Sequence, residues 1–288
     1  MDAIGCALLP AFCALCGSPL PQLSSVPICD VCWTEFPVQS GPQCLRCGDS
    51  LDAPEGSLSP ALCRACRLAP PPFERAVAFG IYQDRMKAAI HALKYDRMHP
   101  AVRDLGRMLA QAIAQLAPEA PAEMLVIPVP LHRSKYAQRG FNQARSLAAQ
   151  ALGCLRKTHP QWQLTLASST LMRLRATESQ AGLTSRQRRI NVRGAFSVSD
   201  PSAVTLKHVL IVDDIFTTGA TARAAALALA QAGAASIWVA TLARARSINP
   251  LRRGASIAAE DDADLSGNPL TATLQAAFID SSQDQSSF

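Results

Sequence analysis

The sequence predicts an α/β protein in which helices flank a parallel sheet, behind a small cysteine-rich domain. Apolar runs such as 209–212 and 236–242 have the length and composition of strands buried in a parallel sheet. Four Cys-x-x-Cys pairs all fall within the first 66 residues. We therefore expect a cysteine-rich segment over 1–70, an α/β domain over 71–246, and a low-complexity, disordered tail over 247–288.

Composition places the chain among globular proteins. It has 288 residues, of which 49% are hydrophobic and 17% charged, which is enough apolar material for a core. The net charge of +6 suits phosphate-bearing ligands and permits nucleic acid. No apolar run reaches the roughly 20 residues of a membrane span. The apolar start at 4–16 lacks a basic leader, so we expect no signal peptide and a cytoplasmic protein.

The cysteine pairs have the spacing of zinc ligands. Two thiolates separated by two residues can face one ion, and two such pairs complete a tetrahedral Zn²⁺ site. The predicted ligands are Cys13, Cys16, Cys29, Cys32, Cys44, Cys47, Cys63 and Cys66. Two structural Zn²⁺ ions would stabilise a segment that has little core of its own. Disulfides or redox thiols are the alternative, and spacing alone leaves open whether adjacent or interleaved pairs share an ion.

Apolar periodicity and turn residues place the elements of the α/β domain after the stiff linker Pro70-Pro71-Pro72. The predicted strands are 76–82, 124–130, 209–212 and 236–242, and the predicted helices are 85–94, 101–116, 142–152 and 221–231. Lys94 closes the first of these helices. It could reach a phosphate, but a favourable interaction with the helix dipole is the more common role at that position.

Two basic segments have the character of phosphate-binding loops. The first, 131–143, lies between a strand and a helix and carries Arg133, Lys135 and Arg139. The second is arginine-dense and spans 170–196, with Arg173 and Arg175 at its start. Arginine forks onto phosphate oxygens, and the polar residues of the second segment predict mobility. Solvated basic surface loops are the alternative for both, and the arginines could instead contact a nucleic-acid backbone.

The strand at 209–212 ends in Asp213 and Asp214, and a turn leads from there into a helix. The turn residues are Thr217, Thr218, Gly219, Ala220 and Thr221. Backbone N–H groups and hydroxyls at a helix start can wrap a monophosphate, while two carboxylates can accept from the two hydroxyls of a ribose. The stretch therefore describes a site for a ribose 5-phosphate, at the carboxyl end of a strand where α/β sheets bind ligands. A turn that merely caps the helix is the alternative.

This stretch resembles the PRPP-binding motif of type I phosphoribosyltransferases. By that resemblance, Asp213 and Asp214 are the catalytic pair that holds the ribose hydroxyls, and 217–221 holds the 5′-phosphate. Arg133, Lys135, Arg139, Arg173 and Arg175 would meet pyrophosphate and its Mg²⁺. The resemblance implies a type I phosphoribosyltransferase fold. It also implies an enzyme that could transfer phosphoribosyl to a base or amine, although no acceptor-binding aromatic or amide pair is evident.

Further landmarks narrow the resemblance. They are the four cysteine pairs, Ile-Pro-Val-Pro-Leu-His at 127–132, Arg-Gly-Phe-Asn-Gln-Ala at 139–144, and Asp-Asp-Ile-Phe-Thr-Thr-Gly-Ala-Thr at 213–221. Together they resemble the ComF/GntX family of competence-associated proteins. That resemblance implies a double zinc ribbon and a role in natural transformation or the use of imported DNA. It leaves open an alternative, a non-catalytic factor that binds single-stranded DNA and works with DNA-uptake or recombination proteins.

Overall fold

The computed structural model describes residues 11–22, 25–51, 61–95, 98–176 and 184–246. Met1–Ser247 form one compact unit. The predicted tail, 247–288, and the part of the arginine-dense segment at 177–183 lie outside the described residues, so the predictions of disorder and mobility made for them stay predictions. The proposed boundaries between the segments also stay predictions.

The main sheet of the described residues has five parallel strands. They are β1 (Ala76–Ile81), β2 (Glu123–Pro128), β3 (Gln163–Leu166), β6 (His208–Phe216) and β7 (Ser236–Arg244). Their order is β1-β7-β6-β2-β3, and every neighbouring pair is parallel. Two short strands, β4 (Leu171–Arg173) and β5 (Phe196–Val198), form a separate antiparallel pair. The predicted fold class is confirmed.

Helices cover both faces of this sheet. The α-helices of the described residues are α1 (Asp30–Thr34), α2 (Arg64–Leu68), α3 (Asp84–Tyr95), α4 (Val102–Ala114), α5 (Arg133–Arg139), α6 (Gln143–Thr158), α7 (Ser185–Val192) and α8 (Ala220–Gln231), of which α3, α4, α6 and α8 pack on the sheet. Buried side chains of α3, α4 and α6 form one hydrophobic cluster with one face of the sheet. Small residues of α8 form the second cluster on the other face. Apolar residues that recur at helical spacing form the face of each of these helices that packs on the sheet.

The direction in which successive strands are added to the sheet reverses between β6 and β2. From β6 it crosses through α8 to β7 on one side, and from β2 it crosses through α5 and α6 to β3 on the other. The carboxyl ends of β6 and β2 therefore flank a crevice, because their connections leave in opposite directions. Beyond β2 the chain stays next to β6, where the N–H of Val129 donates to the carbonyl of Val212 at 2.8 Å.

The cysteine-rich segment packs on the edge strand β1. Its backbone adds a short bridge there, in which Gln39 N–H donates to Phe79 O at 3.1 Å and Ile81 N–H donates to Pro37 O at 2.7 Å. At Gly48, which has φ +68°, a Cβ atom would lie 2.7 Å from the carbonyl oxygen of Ala76. The segment thus covers an edge that would otherwise expose unpaired N–H and C=O groups.

Three details of the predicted secondary structure are wrong. The strand with the two acids does not end at them, since β6 continues to Phe216 and pairs there with Arg244. The basic loop at 131–143 contains the helix α5, which has no buried residue and so lacks an apolar periodicity. The helix predicted over 142–152 continues to Thr158 as α6.

Candidate functional site

A cavity of about 580 Å³ opens at the crevice between β6 and β2. Three kinds of group line it: acids, a turn at a helix start, and cations. The acids are Asp213 and Asp214, the turn contributes Thr217, Gly219, Ala220 and Thr221, and the cations are Lys87, Lys94, Lys135, Arg139, Arg173 and Arg188. The two predicted acids and four of the five predicted turn residues therefore share one cavity.

The turn after β6 is shaped by Gly219. This residue is the N-cap of α8 in the left-handed conformation, with φ 72° and ψ 10°, and no side chain caps the helix. A Cβ atom on it would lie 2.6 Å from the ring of Phe216, so both the dihedral angles and the close approach favour glycine. Thr218 supports the turn, because its Oγ1 accepts from Ala220 N–H at 3.4 Å. A helix start of this kind favours an anion.

The two acids differ in their partners. Asp214, which is 9% exposed, pairs through Oδ2 with Lys94 Nζ at 2.7 Å. Asp213 accepts on Oδ1 from the N–H of Asp214 at 2.8 Å. Burial, and next the charge of Asp214, raises the pKa of Asp213 to about 7, against the opposing effects of that N–H group, Lys94 and Arg173. Asp213 can therefore exchange a proton near neutral pH.

Lys94 is a cation that the sequence interpretation assigned to the helix dipole. Burial alone would lower the pKa of Lys94, but the Asp214 carboxylate outweighs it and raises that pKa above its usual value. The side chains of Lys94 and Asp214 are 18% and 12% exposed, so the pair is largely shielded from water. Lys94 thus remains charged and neutralises one of the two acids inside the cavity.

Cations from α5 and from β4 line another part of the main cavity. Lys135 and Arg139 come from α5, which begins after His132 and ends at Gly140, where φ is 79°. Burial, followed by the nearby charges of Arg139, Arg173 and Lys94, lowers the pKa of Lys135. Repelling cations held together in this way make a place where a multiply charged anion is favoured.

Two of the predicted pyrophosphate contacts lie elsewhere. Arg133 lines a neighbouring groove rather than the main cavity, and Arg173 lines both. Arg175 is held by backbone carbonyls, because its Nη2 donates to Asn191 O at 3.1 Å and to Arg193 O at 3.0 Å. Of the predicted pyrophosphate contacts, Lys135, Arg139 and Arg173 therefore remain on the cavity wall.

Several cavity residues were missed in the sequence. Tyr82, His91 and Tyr95 bring aromatic rings to the wall formed by β1 and α3. The guanidinium of Arg139 lies 4.9 Å from the centre of the Tyr95 ring and donates to its hydroxyl at 3.0 Å. Gln143 is 2% exposed, and no described residue accepts from its Nε2. The adjacent Lys94-Tyr95 and the polar start of α6 carried a signal, but only the fold brings them together.

The cysteines form two tetrads built from adjacent pairs. One contains Cys13, Cys16, Cys29 and Cys32, and the second contains Cys44, Cys47, Cys63 and Cys66. Within each, the four Sγ atoms lie within 4.8 Å of one another. Sγ–Sγ separations of 3.8 Å (Cys13 to Cys32), 3.7 Å (Cys16 to Cys29) and 3.7 Å (Cys47 to Cys63) fit the S–S edge of about 3.8 Å that Zn–S bonds of about 2.3 Å impose on a tetrahedron. The residues fit two structural zinc sites.

Among the described residues, no helix combines the length and the apolar character needed to cross a bilayer. Taken together, the parallel sheet, the acid pair with its glycine turn at the switch point and the two cysteine tetrads define a phosphoribosyltransferase-type domain joined to a double zinc ribbon. Family models agree: the phosphoribosyl transferase domain matches residues 137–267, and the double zinc ribbon domain matches residues 5–67.

Sequence similarity to known proteins identifies the family of this chain. The DNA utilization protein YhgH of Salmonella typhi is 35% identical over 241 residues, which cover 82% of this chain and 98% of that protein. Competence protein F of Haemophilus influenzae is 28% identical and covers 76% and 90%. Competence protein ComFC of Bacillus subtilis is 26% identical and covers 57% and 61%. The chain belongs to the ComF family, as its motifs indicated.

Proposed function

We propose that this chain binds PRPP with Mg²⁺ in the main cavity and acts in natural competence, in the use of imported DNA. Its relatives carry the names competence protein and DNA utilization protein, and this is the source of the biological role. A cytoplasmic location and DNA-uptake or recombination proteins as partners belong to the same proposal.

The single observation that supports PRPP most directly is the joining of three subsites in one cavity. The turn at Gly219 suits a 5′-phosphate, the acids Asp213 and Asp214 suit the ribose hydroxyls, and the cations Lys135, Arg139 and Arg173 suit pyrophosphate. No simpler phosphate ligand needs the acids, because carboxylates repel phosphate. A ribose with phosphates at both ends uses all three.

Transfer of the phosphoribosyl group is a finer proposal. The bond from C1′ to pyrophosphate would break, a bond from C1′ to a nucleobase or amine nitrogen would form, and that nitrogen would lose its proton. Asp213 and Asp214 would stabilise the positive charge that develops on the sugar. Mg²⁺, carried with the ligand, supplies neutralisation of the leaving pyrophosphate.

Calorimetric titration of zinc-replete protein with PRPP, with and without Mg²⁺, tests the binding proposal. We expect Mg²⁺-dependent binding that the Asp213→Asn/Asp214→Asn double variant loses while its zinc content and folding are retained. Ribose 5-phosphate should compete better than 2-deoxyribose 5-phosphate, since the acids need two hydroxyls. Equal competition, or no PRPP binding to folded protein, would overturn the assignment of this cavity. Release of pyrophosphate with a panel of bases tests transfer separately.

A second candidate function is the binding of single-stranded DNA. A groove beside the cavity supports it, because its lining combines the cations Arg133 and Arg173 with apolar Leu171 and Leu174. Leu174 is 62% exposed, as a surface that packs against bases requires. Single-strand affinity should fall steeply with salt, by a log–log slope of about 0.7 for each phosphate contact.

The variant Arg133→Gln separates the two candidates. It changes the groove but not the main cavity, so DNA affinity should fall while PRPP affinity is retained. Arg186, Arg188 and Arg189 changed together to Ala test whether the second basic segment contacts DNA as well, but Arg188 also lines the main cavity, so only Arg133→Gln separates the two ligands. A flat, weak salt response in the unchanged protein would exclude a DNA-tracking surface.

A further inference from the structure

Arg244, the last residue of β7, is buried between the second cysteine tetrad and the main sheet. It is 6% exposed and does not line the main cavity. Its Nη2 lies 3.5 Å from Cys47 Sγ, and its Nε lies 3.4 Å from Asp49 Oδ1. The guanidinium also lies 4.5 Å from the centre of the Phe216 ring. One buried cation thus contacts a zinc ligand and an aromatic side chain.

Phe216 connects this cation to the phosphate-binding turn. It is the last residue of β6, it pairs with Arg244 across the strands, and it is 5% exposed. The position of a Gly219 Cβ lies 2.6 Å from its ring, so the turn rests directly on that ring. Phe73 holds the ring from another direction in an edge contact with centroids 6.2 Å apart. Since the ring is held by Phe73 and Arg244, it fixes where Gly219 can lie.

The charge of an occupied zinc site explains why the position of the Arg244 side chain should depend on zinc. Four thiolates around Zn²⁺ carry a net charge of −2, and a buried anion of that size needs a nearby cation. Arg244 supplies one through its contact with Cys47. Such a contact orients the ligand and tunes the metal, and in turn the metal site orients the guanidinium. The position of Arg244 over Phe216 is therefore linked to occupancy of the second tetrad.

Among the residues that the structure describes, the first tetrad has no such link to the turn. Cys13 and Cys32 pack in the cluster on the α3 face of the sheet. Cys44, Cys47 and Cys66 pack in the opposite cluster together with Phe73 and Phe216. Two zinc sites of the same composition thus lie in different parts of the core, which offers a comparison within one protein.

We propose that Arg244 is a positioning residue that couples zinc in the second tetrad to the phosphate-binding turn, so that zinc there strengthens binding of the sugar phosphate. The ligand side of this inference rests on the proposed function, whereas the zinc side does not. Linkage is reciprocal, so the ligand must also tighten the binding of zinc in the second tetrad, which we expect to observe as slower release of zinc to a chelator. A merely structural Arg244 would change the melting temperature without this reciprocity.

The test compares Arg244→Met, Arg244→Lys and Phe216→Leu with the control Arg46→Met. Arg46 lies between Cys44 and Cys47 of the second tetrad and pairs with Glu74 at 2.7 Å. The control therefore removes an arginine beside the same zinc site without changing any contact of Phe216. Zinc release is followed with a chromogenic chelator in two phases, with and without PRPP. PRPP affinity is measured by calorimetry on zinc-replete protein.

We expect Arg244→Met to accelerate one of the two zinc phases and to weaken PRPP by about tenfold, the scale of a lost buried cation–π contact. Arg244→Lys should retain zinc better but recover less PRPP affinity, since an ammonium lacks the planar fork that stacks on a ring. Phe216→Leu should also accelerate that zinc phase, although it changes no ligand. PRPP should slow the same phase in the unchanged protein and not in Arg244→Met.

The outcomes separate this inference from the proposed function. If the unchanged protein fails to bind PRPP, the proposed function is lost, and the response of zinc release to Phe216→Leu still decides the coupling. If PRPP binds but zinc release in Phe216→Leu matches Arg46→Met, the coupling is overturned. Equal effects of Arg244→Met and Arg46→Met on PRPP affinity would also overturn it.

Discussion

Replacing Lys94 by Met should leave a buried carboxylate without its cation. Met keeps most of the length and apolar bulk of the Lys stem, so packing around α3 should change little. The lost interaction is the 2.7 Å contact from Nζ to Asp214 Oδ2. The substitution therefore isolates the electrostatic role of Lys94 from its role in the core.

The size of the effect follows from burial. Removing one partner of a buried ion pair costs about 3–5 kcal/mol, and side-chain exposures of 18% and 12% place this pair at the lower end, near 3 kcal/mol. The carboxylate of Asp214 is the group left unpaired, so the cost should largely vanish when Asp214 is also changed to a neutral residue.

Urea unfolding of zinc-replete protein at pH 7.5 measures this. The midpoint should fall at unchanged slope, which corresponds to a free energy of unfolding lower by about 3 kcal/mol. Lys94→Met combined with Asp214→Asn should recover most of the loss, because no unpaired charge remains. The control is Arg107→Met, which breaks the half-exposed pair with Asp104 and should cost less than about 0.5 kcal/mol.

Two results would refute the reasoning about Lys94. A loss under about 1 kcal/mol would mean that Asp214 is well solvated without its partner. A full loss that the added Asp214→Asn change does not repair would mean that packing of the Lys stem, not its charge, stabilises this end of α3.

Three further predictions concern the site and its support. The folded pKa of Asp213 is about 7 against 3.8 normally, so the unchanged protein should lose stability as pH rises from about 4 to 7. In a pH series of thermal melts, Asp213→Asn should remove up to about 4 kcal/mol of that loss. Parallel stability profiles of the variant and the unchanged protein would contradict this prediction. Gly219→Ala, at φ +72° and against Phe216, should cost about 2 kcal/mol and abolish calorimetric PRPP binding, and unchanged binding would show that the turn adapts. Chelation of zinc should expose 11–69 to limited proteolysis, mapped by mass spectrometry, while a pattern identical to zinc-replete protein would exclude structural zinc.

The sequence predicted those parts of the fold whose burial leaves a local pattern. The strands β6 and β7 and the helix α8 were found because two-sided burial and a small-residue helix dictate composition over a few consecutive positions. The same holds for the turn at 217–221, whose functional groups are contiguous. In contrast, α5 presents no buried residue, so it has no apolar periodicity, and only Gly140 marks its end.

What the sequence could not predict depends on distant contacts. Lys94 and Asp214 are far apart in the chain, and the helix-dipole explanation for Lys94 was sufficient until α3 was placed beside β6. Which Cys-x-x-Cys pairs share a zinc site could likewise be read only from the structure. All four pairs have the same two-residue spacer, so the sequence permits adjacent and interleaved pairing equally. The contacts of Arg244 with Cys47 and Asp49 join residues almost 200 positions apart, so no local pattern predicts them.

The buried acids help to distinguish the two proposed ligands. A site for a nucleic-acid backbone gains nothing from carboxylates, which repel phosphate and are costly to bury. Here Asp213 and Asp214 lie in a cavity whose other charged residues are cations, and Lys94 is committed to neutralising one of them. The pair suits a vicinal diol, which ribose has and the deoxyribose of DNA lacks. The main cavity therefore fits PRPP better than a DNA strand, and any DNA contact belongs on the basic groove beside it.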